Sequence, residues 1–197
     1  MLNPHRYKMA NSVDLSHVDE STNFLIKNWS VAFQVLAASF FLALCAQIKI
    51  TLPFTPIPLT MQTLAVMIIG VTLGKRNGVW AILAYFAEIA VGMPVLSNFE
   101  MNPLVFFGPK AGYIFGFLAQ VYLMGWAVEK MKNHQIQFLA LMGFVACITQ
   151  LAIGVLGLAP FVGWKNVIMM GFYPFIGGEI LKIFLLCISL KTLRKSI

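Results

Sequence analysis

The sequence predicts an all-α polytopic membrane protein, a bundle of six transmembrane helices with both termini in the cytoplasm. Three observations predict this class. Hydrophobic residues make up 59% of the chain and charged residues only 11%, against about 25% charged in ordinary soluble domains. The apolar residues form six runs, which are separated by polar turns or by proline-rich loops. The basic residues lie mostly on one side of this arrangement, which the positive-inside rule assigns to the cytoplasm.

A polar segment, residues 1–28, precedes a predicted transmembrane domain of residues 29–197. The segment carries charges of both signs, and it fits either an interfacial helix or a disordered cytoplasmic tail. We expect no signal peptide, because such a peptide begins with a short charged region that an apolar run follows at once.

The first predicted span covers residues 31–50. Twenty residues at 1.5 Å each give about 30 Å, the thickness of the hydrocarbon core. The span ends at KITLPFTPIPLT, where Pro53, Pro56 and Pro58 exclude helix. Because this loop is apolar as well as proline-rich, we expect it to cover the mouth of a site.

Two short runs follow, residues 59–73 and 78–91, with GKRNG as a tight polar turn between them. Short segments interrupted by glycine and proline point towards a binding site in membrane proteins. The connection after them, residues 92–112, is long and irregular, and loops of this length are usually functional.

Three further spans are predicted at residues 111–128, 136–158 and 172–193. With six spans, the basic residues on the side of the termini include Lys75, Arg76, Lys130, Lys132, Lys191, Arg194 and Lys195. The other side carries Lys49, Glu100, Lys110 and Lys165 together with the long aromatic loops. We therefore expect a ligand site that opens outward under those loops.

The net charge of +7 does not indicate a nucleic-acid partner, because the basic residues flank apolar runs and form no stripe with aromatic residues. The lipid bilayer is the expected partner. Cys45, Cys147 and Cys187 lie within apolar runs and predict packed thiols. No metal site and no cofactor is expected, since the histidines are scattered over polar segments as His5, His17 and His134.

Ionisable residues inside the predicted spans are the most informative feature of the chain. Glu88, Glu179 and Lys182 lie there, although a charge at the centre of a bilayer costs at least about 2.5–3.5 kcal/mol. Glu179 and Lys182 share one helix face at i, i+3 spacing. Either these charges form a purely structural pair, or an exchangeable ligand completes their hydrogen bonding. Gln62, Gln120 and Gln150 add uncharged polar groups to the spans.

Such residues fit a small ligand that has N–H donors, an apolar middle and an acid group, which Lys110 could bind. This chemistry alone also admits an amino acid or a folded peptide.

Four stretches follow one another along the chain: QIKITLPFTPIPLTMQTLAV, YFAEIAVGMPV, FGPKAGYIFGF and PFIGGEILK. Together they resemble the BioY family, the biotin-binding substrate-specificity subunits of energy-coupling-factor transporters. The residues that match the motifs are Glu88, Pro94, Gly108, Pro109, Gly112, Tyr113, Gly116, Pro174, Phe175, Gly178 and Lys182. The resemblance extends from about residue 31 to residue 190.

The resemblance implies a six-helix bundle that captures biotin from outside the cell. It implies Glu179 as the acceptor for the ureido N–H groups, in place of the family's Asp, with Lys182 in support. The loop around Asn98, together with Lys110, is implied to hold the valerate carboxylate. Tyr113, Glu88 and Gln62 are the other expected substrate-binding residues. Lys110 and Ala111 stand where the family has Thr and Gly.

The resemblance also implies protein partners, namely a transmembrane coupling subunit and two ATPase subunits. The chain has no GxxxxGK[ST] motif with which to bind ATP itself. Ser39 and Ala43 form a small-xxx-small pair, which indicates either docking of the coupling subunit or ordinary packing within the chain. Alternative functions are an energy-independent biotin facilitator, a capture subunit for another vitamin and, more remotely, an intramembrane enzyme.

Overall fold

The computed structural model describes residues 15–131 and 136–195, and this part of the chain is almost entirely helical. Its helices are α1 (Leu15–Gln47), α2 (Gln62–Ala90), α3 (Ala111–Lys130), α4 (Ile136–Val162), α5 (Val167–Gly171) and α6 (Tyr173–Lys195). Five helices in these residues are long and apolar enough to cross a membrane. The predicted class, an all-α membrane protein, is therefore confirmed.

The chain divides into two compact units after Gln34. In the first unit, α1 begins at Leu15, well before the predicted start of the first span at residue 31. Helical hydrogen bonds do not require an apolar environment, so a helix can extend beyond the hydrocarbon core. His5, Lys132 and His134 lie outside the described residues, as does the side chain of His17.

The second unit begins within α1, and the proline-rich loop follows that helix. Strand β1 (Lys49–Ile50) pairs antiparallel with β2 (Leu59–Thr60), with Lys49 opposite Thr60. The loop between them contains the three prolines and forms no helix, as the sequence predicts. This short hairpin sets Ile57 and Thr60 beside the start of α2.

Helix α2 folds back on itself at Gly74, whose φ of 71° and ψ of 178° are not helical. Gln62 Nε2 donates a hydrogen bond to the hydroxyl of Tyr85 over 2.9 Å. In one straight helix these residues would lie about 34 Å apart along the axis. The two halves of α2 therefore lie side by side, and the break falls within the predicted GKRNG turn.

Helices α3 and α4 approach each other closely where both present glycine. A Cβ atom on Gly112 would lie 2.6 Å from the carbonyl oxygen of Ile153 and 2.9 Å from the Cα of Gly157. Only glycine permits this backbone contact.

The interior is apolar, and many apolar side chains also point outward, among them Trp80, Leu156 and Phe184, which are 57%, 61% and 61% exposed. A lipid-facing surface accounts for such exposure.

The connection between α2 and α3 contains two 3₁₀ turns, Ser97–Phe99 and Pro103–Phe107. The Tyr85 hydroxyl donates to the carbonyl of Val95 over 3.0 Å. Gln47 Nε2 donates to the carbonyl of Leu96 over 3.0 Å, and its oxygen accepts from the amide of Phe99 over 3.0 Å. These bonds hold the connection against the end of α1 and the second half of α2.

Candidate ligand-binding site

A cavity lies among the helices, with about 610 Å³ of empty space when its open mouth is included. The apolar residues that line this cavity are Ile57, Pro58, Leu96, Ile114, Phe117, Leu151 and Phe175. The polar residues that line it are Thr60, Gln62, Thr63, Ser97, Lys110, Tyr113, Gln150, Glu179 and Lys182. A small ligand with an apolar middle and polar ends suits these walls.

Helix periodicity explains how a few helices supply the lining. On α6, Phe175, Glu179 and Lys182 follow one another at i, i+4 and i+7, so they share one face. On α3, Tyr113 and Phe117 are four residues apart and also face the cavity. The aromatic rings of Tyr113 and Phe175 meet across the wall, with centroids 5.9 Å apart.

Glu179 and Lys182 form a buried ion pair at the inner end of the cavity. Lys182 Nζ lies 2.7 Å from Glu179 Oε1, and the two residues are 6% and 4% exposed. Thr63 joins them, because its hydroxyl accepts from Lys182 over 2.7 Å and donates to Glu179 Oε1 over 2.8 Å. The opposite charge and the hydroxyl offset part of the desolvation cost of burying both ions.

This cluster does not use its full hydrogen-bonding capacity within the described residues. A Lys ammonium has three N–H donors, and Glu179 and Thr63 take two of them. A carboxylate offers about four lone-pair positions. Three of these are occupied, by Lys182, Thr63 and the Cys147 thiol. One donor and one acceptor position remain for a ligand.

Cys147 and Gln120 support the carboxylate from behind. The Cys147 thiol donates to Glu179 Oε2 over 3.2 Å and accepts from Gln120 Nε2 over 3.4 Å. Gln120 Nε2 also lies 3.4 Å from the carbonyl oxygen of Thr63. Glu179 is therefore held by side chains from α2 and α4 as well as by Lys182.

Gln62 and Tyr113 line the cavity, but their polar atoms have partners. Gln62 donates to Tyr85 and accepts from the Thr60 hydroxyl over 3.1 Å. The Tyr113 hydroxyl donates to the carbonyl of Gly171 over 2.6 Å. Tyr113 thus offers a ligand its ring, while Gln62 mainly connects the two halves of α2.

Lys110 lies where the cavity meets a second, more open one, with about 520 Å³ of empty space when its open mouth is included. Asn98, Glu100 and Lys49 also line this second cavity. Lys110 Nζ contacts Glu100 Oε2 at 2.6 Å. The hydrogen bond from Lys110 holds the pKa of Glu100 below its ordinary value. Lys110, which was predicted to bind an anion, therefore already has a carboxylate partner. Asn98 lines the second cavity only.

Glu88 does not line either cavity. Its Oε1 lies 2.6 Å from the hydroxyl of Ser39, so it contacts α1. Ser39 is fully buried and Ala43 is 7% exposed. This burial favours ordinary packing within the chain for the Ser39–Ala43 pair, and we leave Glu88 out of the ligand site.

Sequence reasoning missed Thr63, Cys147 and Glu100. Thr63 and Cys147 look like ordinary residues of apolar helices, and only the fold brings them to Glu179. Glu100 carried a signal, since it is the one acidic residue in the connection that approaches Lys110.

The fold and the cavity define a helical membrane protein that binds a small ligand among its helices. The sequence pattern of the BioY family matches residues 18–197. The chain belongs to this family.

Known proteins are similar to this chain, in sequence or in fold, over most of its length. A protein named Biotin transporter BioY, from Thermotoga maritima, is 32% identical over 164 residues, which cover 82% of this chain and 96% of that protein. A protein of the same name from Rhodobacter capsulatus is 29% identical over 175 residues, covering 78% and 91%. A solved S-component for biotin from an ECF-type ABC transporter gives a TM-score of 0.77 at 22% identity, over 86% of this chain and 93% of that chain. The structural match supports the fold.

Proposed function

We propose that this chain takes up biotin as the substrate-capture subunit of an ECF-type ABC transporter in the cytoplasmic membrane. The observation that carries the proposal is the cavity, in which the buried Glu179–Lys182 pair retains one acceptor and one donor position. Its relatives are named biotin transporters. The BioY family is a family of transport proteins, so the alternative of an intramembrane enzyme is set aside.

Biotin matches the polarity of the cavity from end to end. Its ureido group carries an N–H donor for the remaining acceptor position of Glu179 and a carbonyl oxygen for the free donor of Lys182. Its ring and aliphatic chain suit the wall formed by Phe117, Phe175 and their apolar neighbours. Its carboxylate would lie towards Lys110 and, further out, Asn98. Glu100, which already contacts Lys110, would then compete with the ligand carboxylate for it.

Six membrane crossings with both termini in the cytoplasm are part of this proposal. The fold-back at Gly74 supports counting α2 as two crossings. Lys75, next to the break, pairs with Glu129 near the end of α3 over 2.9 Å, so the two ends lie on the same side. Arg76 and Lys130 are there too, and the positive-inside rule makes that side cytoplasmic.

Energy for uptake would come from partners, since the chain lacks a nucleotide-binding motif of its own. The proposed partners are a transmembrane coupling subunit and two ATPase subunits. An energy-independent facilitator would need none of them. Uptake of labelled biotin into cells with and without the ATPase subunits separates the two, and equal accumulation would support the facilitator.

Direct titration of the purified chain with biotin, dethiobiotin, lipoate and thiamine tests the ligand. We expect biotin to bind most tightly. Glu179→Gln should weaken biotin binding about tenfold or more, because a hydrogen bond to a charged group contributes about 1.5–3 kcal/mol. Glu129→Gln is the matched control, since Glu129 is surface-exposed and outside the cavity. Preference for thiamine would end the biotin assignment.

Cysteine labelling tests the topology. Arg76 and Lys165 are both exposed, and the proposal assigns them to opposite faces. A membrane-impermeant maleimide should label Lys165→Cys in intact cells. It should label Arg76→Cys only after the cells have been permeabilised. Labelling of both variants in intact cells would contradict the proposed crossings.

A further inference from the structure

Gln150 presents a buried polar atom that has no hydrogen-bond partner in the part of the chain that the structure describes. It is 2% exposed and lines the cavity, and its Oε1 has no hydrogen bond within the described residues. Its Nε2 donates to the carbonyl oxygen of Tyr113 over 3.3 Å. That bond sets the orientation of the amide, because a flipped amide would bring Oε1 against the same carbonyl. The atom left over is therefore an acceptor.

Glu179 alone lacks the capacity for a ligand with two N–H groups. Its Oε1 already accepts from Lys182 and Thr63, and its Oε2 accepts from Cys147. One lone-pair position remains. The two N–H bonds of a cyclic urea also diverge from the ring, so they reach acceptors on two different walls more easily than one carboxylate.

We propose that Gln150 Oε1 accepts the second ureido N–H, and that Gln150 thereby determines specificity for a ligand with two N–H donors. This inference rests on the proposed function, since it assigns a role within biotin binding. An unsatisfied buried acceptor destabilises a protein. A ligand N–H that bonds to Gln150 Oε1 would remove this cost, which accounts for an amide oxygen that has no partner among the described residues.

The position of Gln150 on α4 suits this role. Cys147, three residues earlier, touches Glu179 Oε2. Residues at i, i+3 on a helix have Cβ atoms about 5–6 Å apart. Gln150 therefore lies close to Cys147, the residue that contacts the carboxylate, at a separation that a small ring can span. Gln150 and Glu179 both line the same cavity.

The experiment uses biotin and its two analogues that are methylated on either ureido nitrogen, titrated against the purified full-length chain. The wild-type chain should lose about tenfold or more in affinity for each analogue, because each methyl group removes one hydrogen bond of two. Gln150→Met keeps the side-chain length but has no amide oxygen. It should bind biotin more weakly and lose its discrimination against one of the analogues only.

Gln137→Met is the matched control, the same substitution on the same helix. Gln137 is exposed and does not line the cavity. We expect it to discriminate against both analogues as the wild type does. If Gln150 had a purely structural role, Gln150→Met would lower the affinity for all three ligands equally. That result would overturn the inference.

The wild-type titration can refute the inference even if Gln150→Met does not fold. Wild-type protein that binds biotin but tolerates a methyl group on one nitrogen would refute the second acceptor while the proposed function stands. Wild-type protein that binds no biotin would refute the proposed function itself.

Discussion

The thiol of Cys147 donates a hydrogen bond to Glu179 Oε2 over 3.2 Å, so a residue of α4 helps to hold the carboxylate of α6. The two residues are 32 positions apart in the sequence. Lys182 and Thr63 bind the other oxygen. The carboxylate is thus fixed on both sides before any ligand enters, which reduces the ordering that binding requires.

Removal of the thiol should weaken biotin binding. For Cys147→Ala we expect a loss of about fivefold, because one net hydrogen bond contributes about 1 kcal/mol. Cys147→Ser should retain most of the affinity, since its hydroxyl is also a donor. Titration of both variants with biotin measures the difference. Cys187→Ala, a half-buried cysteine outside the cavity, should bind as the wild type does. Equal affinity for the Ala and Ser variants would argue against the hydrogen bond.

Lys182→Met should destabilise the protein strongly. The substitution leaves Glu179 buried beside an apolar side chain, and breaking a buried ion pair costs about 3–5 kcal/mol. Thermal unfolding in detergent measures this loss, with Lys191→Met as an exposed control on the same helix. Adding Glu179→Gln to Lys182→Met should recover part of the stability but not the binding of biotin. A double variant less stable than Lys182→Met would contradict this account.

Glu100→Gln should tighten biotin binding. Lys110 contacts Glu100 at 2.6 Å, so Glu100 competes with a ligand carboxylate for the same ammonium and repels that carboxylate. We expect a gain of up to about fivefold, because partly exposed ion pairs contribute about 0.2–1 kcal/mol. Biotin amide, which has no carboxylate, provides the control and should bind both proteins equally. A loss of biotin affinity in Glu100→Gln would show that Glu100 assists the ligand instead of competing with it.

Much of the fold and part of the site could be predicted because they depend on local features. The prolines after α1 exclude helix whatever surrounds them, and GKRNG marks the fold-back because polar residues and glycine interrupt two apolar runs. Glu179 and Lys182 stand out because charges are rare in apolar spans. The sequence could not show that Lys110 pairs with Glu100 or that Glu88 faces Ser39, because those contacts depend on how separate helices approach one another.

The approach of α3 to the fold-back of α2 leads to the last prediction. A Cβ atom on Gly125 would collide with the backbone of Gly74 and Lys75. Backbone atoms cannot rotate away as a flexible side chain can, so Gly125→Ala must push the two elements apart. Overpacking of this kind costs about 1–3 kcal/mol.

Gly177→Ala is the matched substitution in α6. Among the described residues, a Cβ atom there has no neighbour within 4 Å. Alanine is favoured over glycine inside a helix by about 1 kcal/mol. Thermal unfolding in detergent should therefore place Gly125→Ala below the wild type and Gly177→Ala at or above it. Since Gly125 does not line the cavity, the folded fraction of Gly125→Ala should still bind biotin. If Gly125→Ala were as stable as Gly177→Ala, α3 would not pack closely against the backbone of Gly74 and Lys75, contrary to the structure.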